Sequence, residues 1–206
     1  MTQAADIPVG RGLGKGARAN WIRLRTMIVL RWVAIAGQLT AITVAQRIFG
    51  LQLELGLCYL AIGVSVLGNL IAILVFPENK RLSEYENLLM VLFDLVQLAF
   101  LLFLTGGLHN PFSLLLLGPV TISATALSLR STIVLCGTAI VLATLLALFH
   151  LPLITANGGR LELPSIFIFG IWIALVIAIL FSTAYSRRVT TEIHSMADAL
   201  GNMRRR

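Results

Sequence analysis

Apolar residues in this chain neither alternate nor keep to one helical face. They come in unbroken runs separated by short polar punctuation. Such runs read as helices that are hydrophobic all round, and about 20 helical residues cross a hydrocarbon core of ~30 Å. Six runs approach that length: Met27 to Ile48, Leu55 to Phe76, Leu88 to Leu104, Phe112 to Leu129, Thr132 to Leu151 and Ser165 to Tyr185. The third and fourth are the shorter ones. Gly118-Pro119 in the middle of the fourth predicts a kink or break, because proline lacks the backbone donor and clashes with the preceding turn. The connections are brief, which predicts antiparallel neighbours. The fold expected is an all-α integral membrane protein, a six-helix antiparallel transmembrane bundle.

Composition excludes the soluble alternative. Of the 206 residues 58% are hydrophobic and 12% charged, against roughly 45–50% and about 25% in soluble domains. Cys58 and Cys136 lie in separate apolar runs, so neither a disulfide framework nor a metal pair is expected, and both read as small buried hydrophobes. The net charge of +7 is explained by orientation. With the N-terminus inside, every Lys and Arg except Arg47 and Arg160 falls on the cytoplasmic side, which predicts both termini in the cytoplasm. Basic residues so placed need no nucleic acid, and none is expected as a partner; membrane lipid is.

Three parts follow. Residues 1–26 form a basic cytoplasmic arm, in which Trp21, Ile22 and Leu24 interleave with Arg23 and Arg25 and suit a membrane surface. The region ahead of the first run is long, Arg31 interrupts the run and no clean small-residue cleavage site follows, so the first span is expected to be retained. Residues 27–186 carry the six helices. Residues 187–206 continue the last one as a cytoplasmic output helix, because Val189, Ile193, Met196, Leu200 and Met203 step by four and three along a single coiled-coil-like seam, which suits a homodimer.

Several polar residues qualify this apolar frame. Ser83 and Glu86 form a capping box ahead of the third helix. Asp94 is the acid well inside an apolar run, and its ionised form in lipid costs at least ~2.5 kcal/mol, so it must face the interior. By depth it matches Asn69 and Ser123, with Gln97 one turn further and Arg31 slightly shallower. An Arg31–Asp94 pair is available, either as glue between helices or as a coupling element that includes Asn69, Gln97 and Pro119. The segment Gly106-Gly107-Leu108-His109-Asn110-Pro111-Phe112 makes a helix hairpin: a glycine in the left-handed C-cap position, Asn110 as N-cap and Pro111 in the next first turn. It also makes a plausible quinone head-group site. There the helix N-terminus would present unpaired N–H donors, His109 and Asn110 would add hydrogen bonds, and Phe112 would stack. His109 and His150 at the outer ends of spans leave a haem conceivable but poorly supported, and no other metal is expected.

The run Asp94-Leu95-Val96-Gln97-Leu98, followed by Leu104-Thr105-Gly106-Gly107-Leu108-His109-Asn110-Pro111-Phe112, resembles the third helix and the G-G-x-x-N-P-F heptapeptide of the RegB/PrrB (ActS) group of redox-sensing histidine kinases. The six spans and the outgoing Met-Ala-Asp-Ala-Leu segment at 196–200 are similar too. The resemblance implies ubiquinone as ligand, with contacts at Gly106, Gly107, Asn110, Pro111 and Phe112. It also implies a kinase restrained by oxidised quinone and a RegA/PrrA-type response regulator as its phosphorylation partner. The phospho-acceptor and ATP-binding motifs of that group do not occur in these residues, so a sensor domain without kinase chemistry of its own is expected. A small transporter using Asp94 and the Gly118-Pro119 broken helix is the competing reading.

Overall fold

A computed structural model describes residues 24–75 and 82–203, except the side chains at 24, 126, 190, 194 and 197–203. Nearly all of the expected basic arm, and the seam side chains of Leu200 and Met203, lie outside the described residues.

Among the described residues six α-helices follow one another: α1 (Leu24–Arg47), α2 (Leu55–Val75), α3 (Glu84–Leu104), α4 (Leu117–Ala126), α5 (Leu129–Leu148) and α6 (Ser165–Met203). Five of them are long and apolar enough to cross a membrane; α4 is not. The third run is longer than expected because the capping box starts α3 at Glu84: Ser83 N–H donates to Glu86 Oε2 at 2.8 Å and Glu86 N–H to Ser83 Oγ at 3.3 Å. These two bonds satisfy N-terminal donors that the helix itself leaves open.

The fourth run departs from expectation. Its first part, Pro111–Leu116, is a 3-10 helix, and α4 begins only at Leu117. The discontinuity therefore precedes Gly118-Pro119, and Pro119 sits in the first turn of α4, where its missing N–H costs nothing. At ~2.0 Å per 3-10 residue and ~1.5 Å per α residue the two pieces together rise about 27 Å, close to the ~31 Å of α3.

Hydrogen bonds tie the elements together at each end. At the heptapeptide end, Gln52 N–H donates to Ile154 O at 2.8 Å and Leu151 N–H to Phe103 O at 2.9 Å. At the opposite end, Ser131 Oγ on α5 donates to Glu84 Oε1 on α3 at 2.6 Å. There Arg187 Nη1 on α6 donates to Leu127 O at 3.0 Å and to Thr132 Oγ1 at 3.2 Å. The core between the ends includes Leu95, Leu116, Leu135, Leu175 and Ile179, all fully buried. Val33, Leu67, Phe100, Val141 and Phe181 point outward, as apolar side chains do against lipid, where burial alone drives no helix association. No break interrupts α6 at Tyr185. Past it, Ile193 and Met196 of the expected seam are exposed.

Candidate functional site

The heptapeptide forms the turn that sequence chemistry demands. Gly106 and Gly107 adopt φ of +99° and +58°, a region that side-chain-bearing residues avoid. Space requires glycine as well. A Cβ on Gly106 would meet Leu153 Cδ1 at 2.5 Å, and one on Gly107 would run into the carbonyl of Leu146 and the side chain of His150. Both glycines thus pack the loop against the end of α5 and the segment after it.

Asn110 closes the turn with all its polar capacity but one lone pair. Its Nδ2 donates to Thr105 O at 3.1 Å and Thr105 Oγ1 at 2.8 Å, and its Oδ1 accepts from Phe112 N–H at 2.9 Å. Ser113 N–H is taken by Asn110 O at 3.0 Å. The expected array of unpaired N–H donors at this helix start is therefore absent: Pro111 has none, and Asn110 caps the next two.

His109 turns away from Phe112. Its ring lies 4.5 Å from that of His150, centroid to centroid, and its Nδ1 accepts from Leu163 N–H at 2.9 Å. Two imidazoles on opposite faces of a haem iron stand farther apart than this, so the pair as placed does not fit that role. Accepting at Nδ1 assigns the proton to Nε2 in neutral His109, and burial together with the neighbouring His150 lowers its pKa, against a smaller opposing pull from Glu162. Among the described residues no group of three or more His, Cys, Asp and Glu could hold a metal ion.

A cavity of about 510 Å³ opens beside the loop, within the range of small-molecule sites. Asn110, Pro111 and Phe112 line it, together with Thr105, Gln38 and Leu115, among an otherwise mainly apolar wall. Gly106, Gly107 and His109 do not line it. Of the six loop residues expected at a ligand, the structure brings three to the cavity and gives the other three to the hairpin's packing.

The residue that sequence reasoning missed is Gln38. It exchanges amide bonds with Gln97: Gln38 Nε2 to Gln97 Oε1 at 3.2 Å and Gln97 Nε2 to Gln38 Oε1 at 3.1 Å. Gln97 Nε2 also donates to Ala61 O at 3.4 Å, which orients both amides. One N–H of Gln38 Nε2 has no partner among the described residues and remains to serve the cavity. A glutamine in the middle of the first apolar run was the signal that could have found it, since a buried amide needs partners.

The expected coupling residues divide. Arg31 Nε stands 2.7 Å from Asp94 Oδ1, so that pair forms, with Arg31 also over the Phe93 ring. Gln97 joins Gln38 instead of Asp94. Asn69 donates to Ile28 O at 3.1 Å and Ser123 Oγ to Val120 O at 2.7 Å. Pro119 lines a second cavity beside Arg31 and Asp94.

No protein-family model matches the chain, and no solved structure matches it. Two curated proteins do. Sensor histidine kinase RegB of Cereibacter sphaeroides is 57% identical over 188 residues, covering 91% of this chain and 41% of that protein. The protein of the same name from a designated strain of that species is 58% identical over the same shares. The chain thus spans about two fifths of the length of the relatives it matches.

Proposed function

We propose, from homology to RegB over nine tenths of the chain, that this is the quinone-responsive membrane domain of a two-component sensor histidine kinase. It crosses a bacterial inner membrane six times, both termini cytoplasmic. The rise of Pro111–Ala126 and the bonds at its two ends support the fourth crossing, and the basic residues at the Arg187 end support the orientation.

The observation that carries the reading is the cavity beside Phe112. Its wall offers a ring for stacking, an apolar lining for a prenyl chain and a Gln38 N–H that has no partner among the described residues. Oxidised ubiquinone presents carbonyl acceptors only, which the Gln38 N–H can serve, and the resemblance to RegB points to the oxidised form as the ligand. Asn110 acts through Phe112 by capping its N–H and tying it to Thr105. The 3-10 segment continues from Phe112 into α4, whose far end Arg187 joins to α6. A shift at the loop thereby reaches the output helix, where the exposed Ile193 and Met196 suit a homodimer seam. Phosphorylation of a RegA/PrrA-type regulator belongs to the kinase part of such proteins.

The test is binding of oxidised and reduced ubiquinone to the chain in nanodiscs. Oxidised quinone is expected to bind more tightly, and Phe112→Ala and Asn110→Ala to weaken it with helicity retained. Binding indifferent to both substitutions would overturn the reading. For the transport alternative, Asp94 is paired with Arg31, and ion flux in liposomes that disappeared in Asp94→Asn would favour it.

A further inference from the structure

The second cavity, of about 390 Å³, shares Gln38, Leu98 and Leu115 with the first. The two adjoin along α1 and α3, and α4 lines the second. Gly37 on α1 and Gly118 on α4 both line this second cavity. A Cβ on either would meet nothing within 4 Å, so these glycines leave real space rather than a close helix contact.

At the bottom stands a guanidinium short of acceptors. Arg31 is 7% exposed. Its Nε pairs with Asp94 Oδ1 at 2.7 Å, and apart from the contact to Met90 its Nη1 and Nη2 N–H groups have no acceptor among the described residues. Its Nη2 reaches Met90 O only at 3.4 Å. A guanidinium carries five donors, and a buried donor left without an acceptor is destabilising. Asp94 has already neutralised the charge. A second anion here would oppose the carboxylate, whereas a neutral oxygen acceptor would complete the hydrogen bonding without adding charge.

We infer that this inner cavity is a second binding site, taking a neutral, carbonyl-bearing amphiphile whose oxygen accepts from Arg31. A membrane-dissolved quinone has this chemistry, and so does the ester carbonyl of a bilayer lipid. The site itself does not depend on the loop cavity binding quinone; only the quinone source rests on that reading.

Native mass spectrometry of the full chain, released from phospholipid nanodiscs loaded with a ubiquinone of one isoprene unit, tests it. Two bound molecules are expected. Gly118→Leu, or Gly37→Leu as an independent filling of the same space, should remove one and leave the one that Phe112→Ala removes. The mass of the molecule lost to Gly118→Leu names its source, quinone or lipid. If Gly118→Leu alone removes a molecule while Phe112→Ala removes none, the inner site stands and the loop reading falls. Retention of every bound molecule in both glycine variants overturns the inference.

Discussion

Arg187 of α6 donates a hydrogen bond of 3.0 Å to the carbonyl of Leu127, the C-cap of α4, and a second of 3.2 Å to Thr132 Oγ1. The helix that leaves the bundle therefore holds the end of the segment that begins at the heptapeptide. A charged donor on an otherwise open helix carbonyl is among the stronger neutral-acceptor bonds, ~1.5–3 kcal/mol.

Arg187→Ala is accordingly expected to uncouple rather than unfold. Ubiquinone affinity should stay within about twofold, while disulfide crosslinking between copies carrying Ile193→Cys or Met196→Cys should lose its dependence on quinone redox state. Crosslinking that still follows the redox state would show that the signal takes another route.

Gln38→Leu removes an N–H at the cavity wall that has no partner among the described residues. A neutral hydrogen bond is worth ~0.5–1.5 kcal/mol, so affinity for oxidised ubiquinone should fall by up to about tenfold. Affinity for an alkyl-chain analogue lacking carbonyls should not change. Equal losses for both ligands would mean that the substitution acts on packing alone.

Gly107→Ala combines a left-handed backbone with a Cβ against the Leu146 carbonyl and His150. Strain of this kind costs on the order of 1–3 kcal/mol. Thermal unfolding should shift downward, whereas Gly63→Ala in α2, where the new methyl meets nothing within 4 Å, should leave it unchanged or raised. Similar midpoints for the two variants would contradict the assigned turn.

The bond from Leu163 N–H to His109 Nδ1 exists only while His109 is neutral. Because the folded pKa lies below the usual value, the folded state binds fewer protons than the unfolded one between the two. The contribution is therefore complete above pH ~6.5 and is lost as pH falls through the lowered pKa. The groups facing His109 are His150, which pushes its pKa down, and Glu162, which pushes it up and is itself 3.8 Å from Arg160. The Leu163 amide shift, followed by NMR from pH 7.5 to 4.5, should titrate in the native chain and stay flat in His109→Gln. A flat native profile would contradict the Leu163–His109 bond.

Membrane residence, the helical class and the hairpin at Gly106–Phe112 were legible in the sequence because each follows from a local cause. Lipid cannot satisfy backbone polar groups, so long apolar runs must be helical. Left-handed backbone selects glycine at 106 and 107, and a helix start selects Asn110 and Pro111. Asp94 was legible for a related reason, since a lone acid in lipid demands a partner and Arg31 was at hand. The resemblance of the chain to RegB was likewise written in its residues.

The tertiary structure decided which of those residues meet. It spent the donors of Asn110 on Thr105, turned His109 toward His150 and Leu163, and put Gln38, 72 positions before Asn110 in the chain, on the wall of the same cavity. It moved the break in the fourth run ahead of Gly118-Pro119 and gave Leu127 to Arg187. None of this has a local cause. Which side chain faces a cavity depends on how whole helices rotate and pack against one another, and in all-apolar helices the pattern of residues carries little record of that rotation.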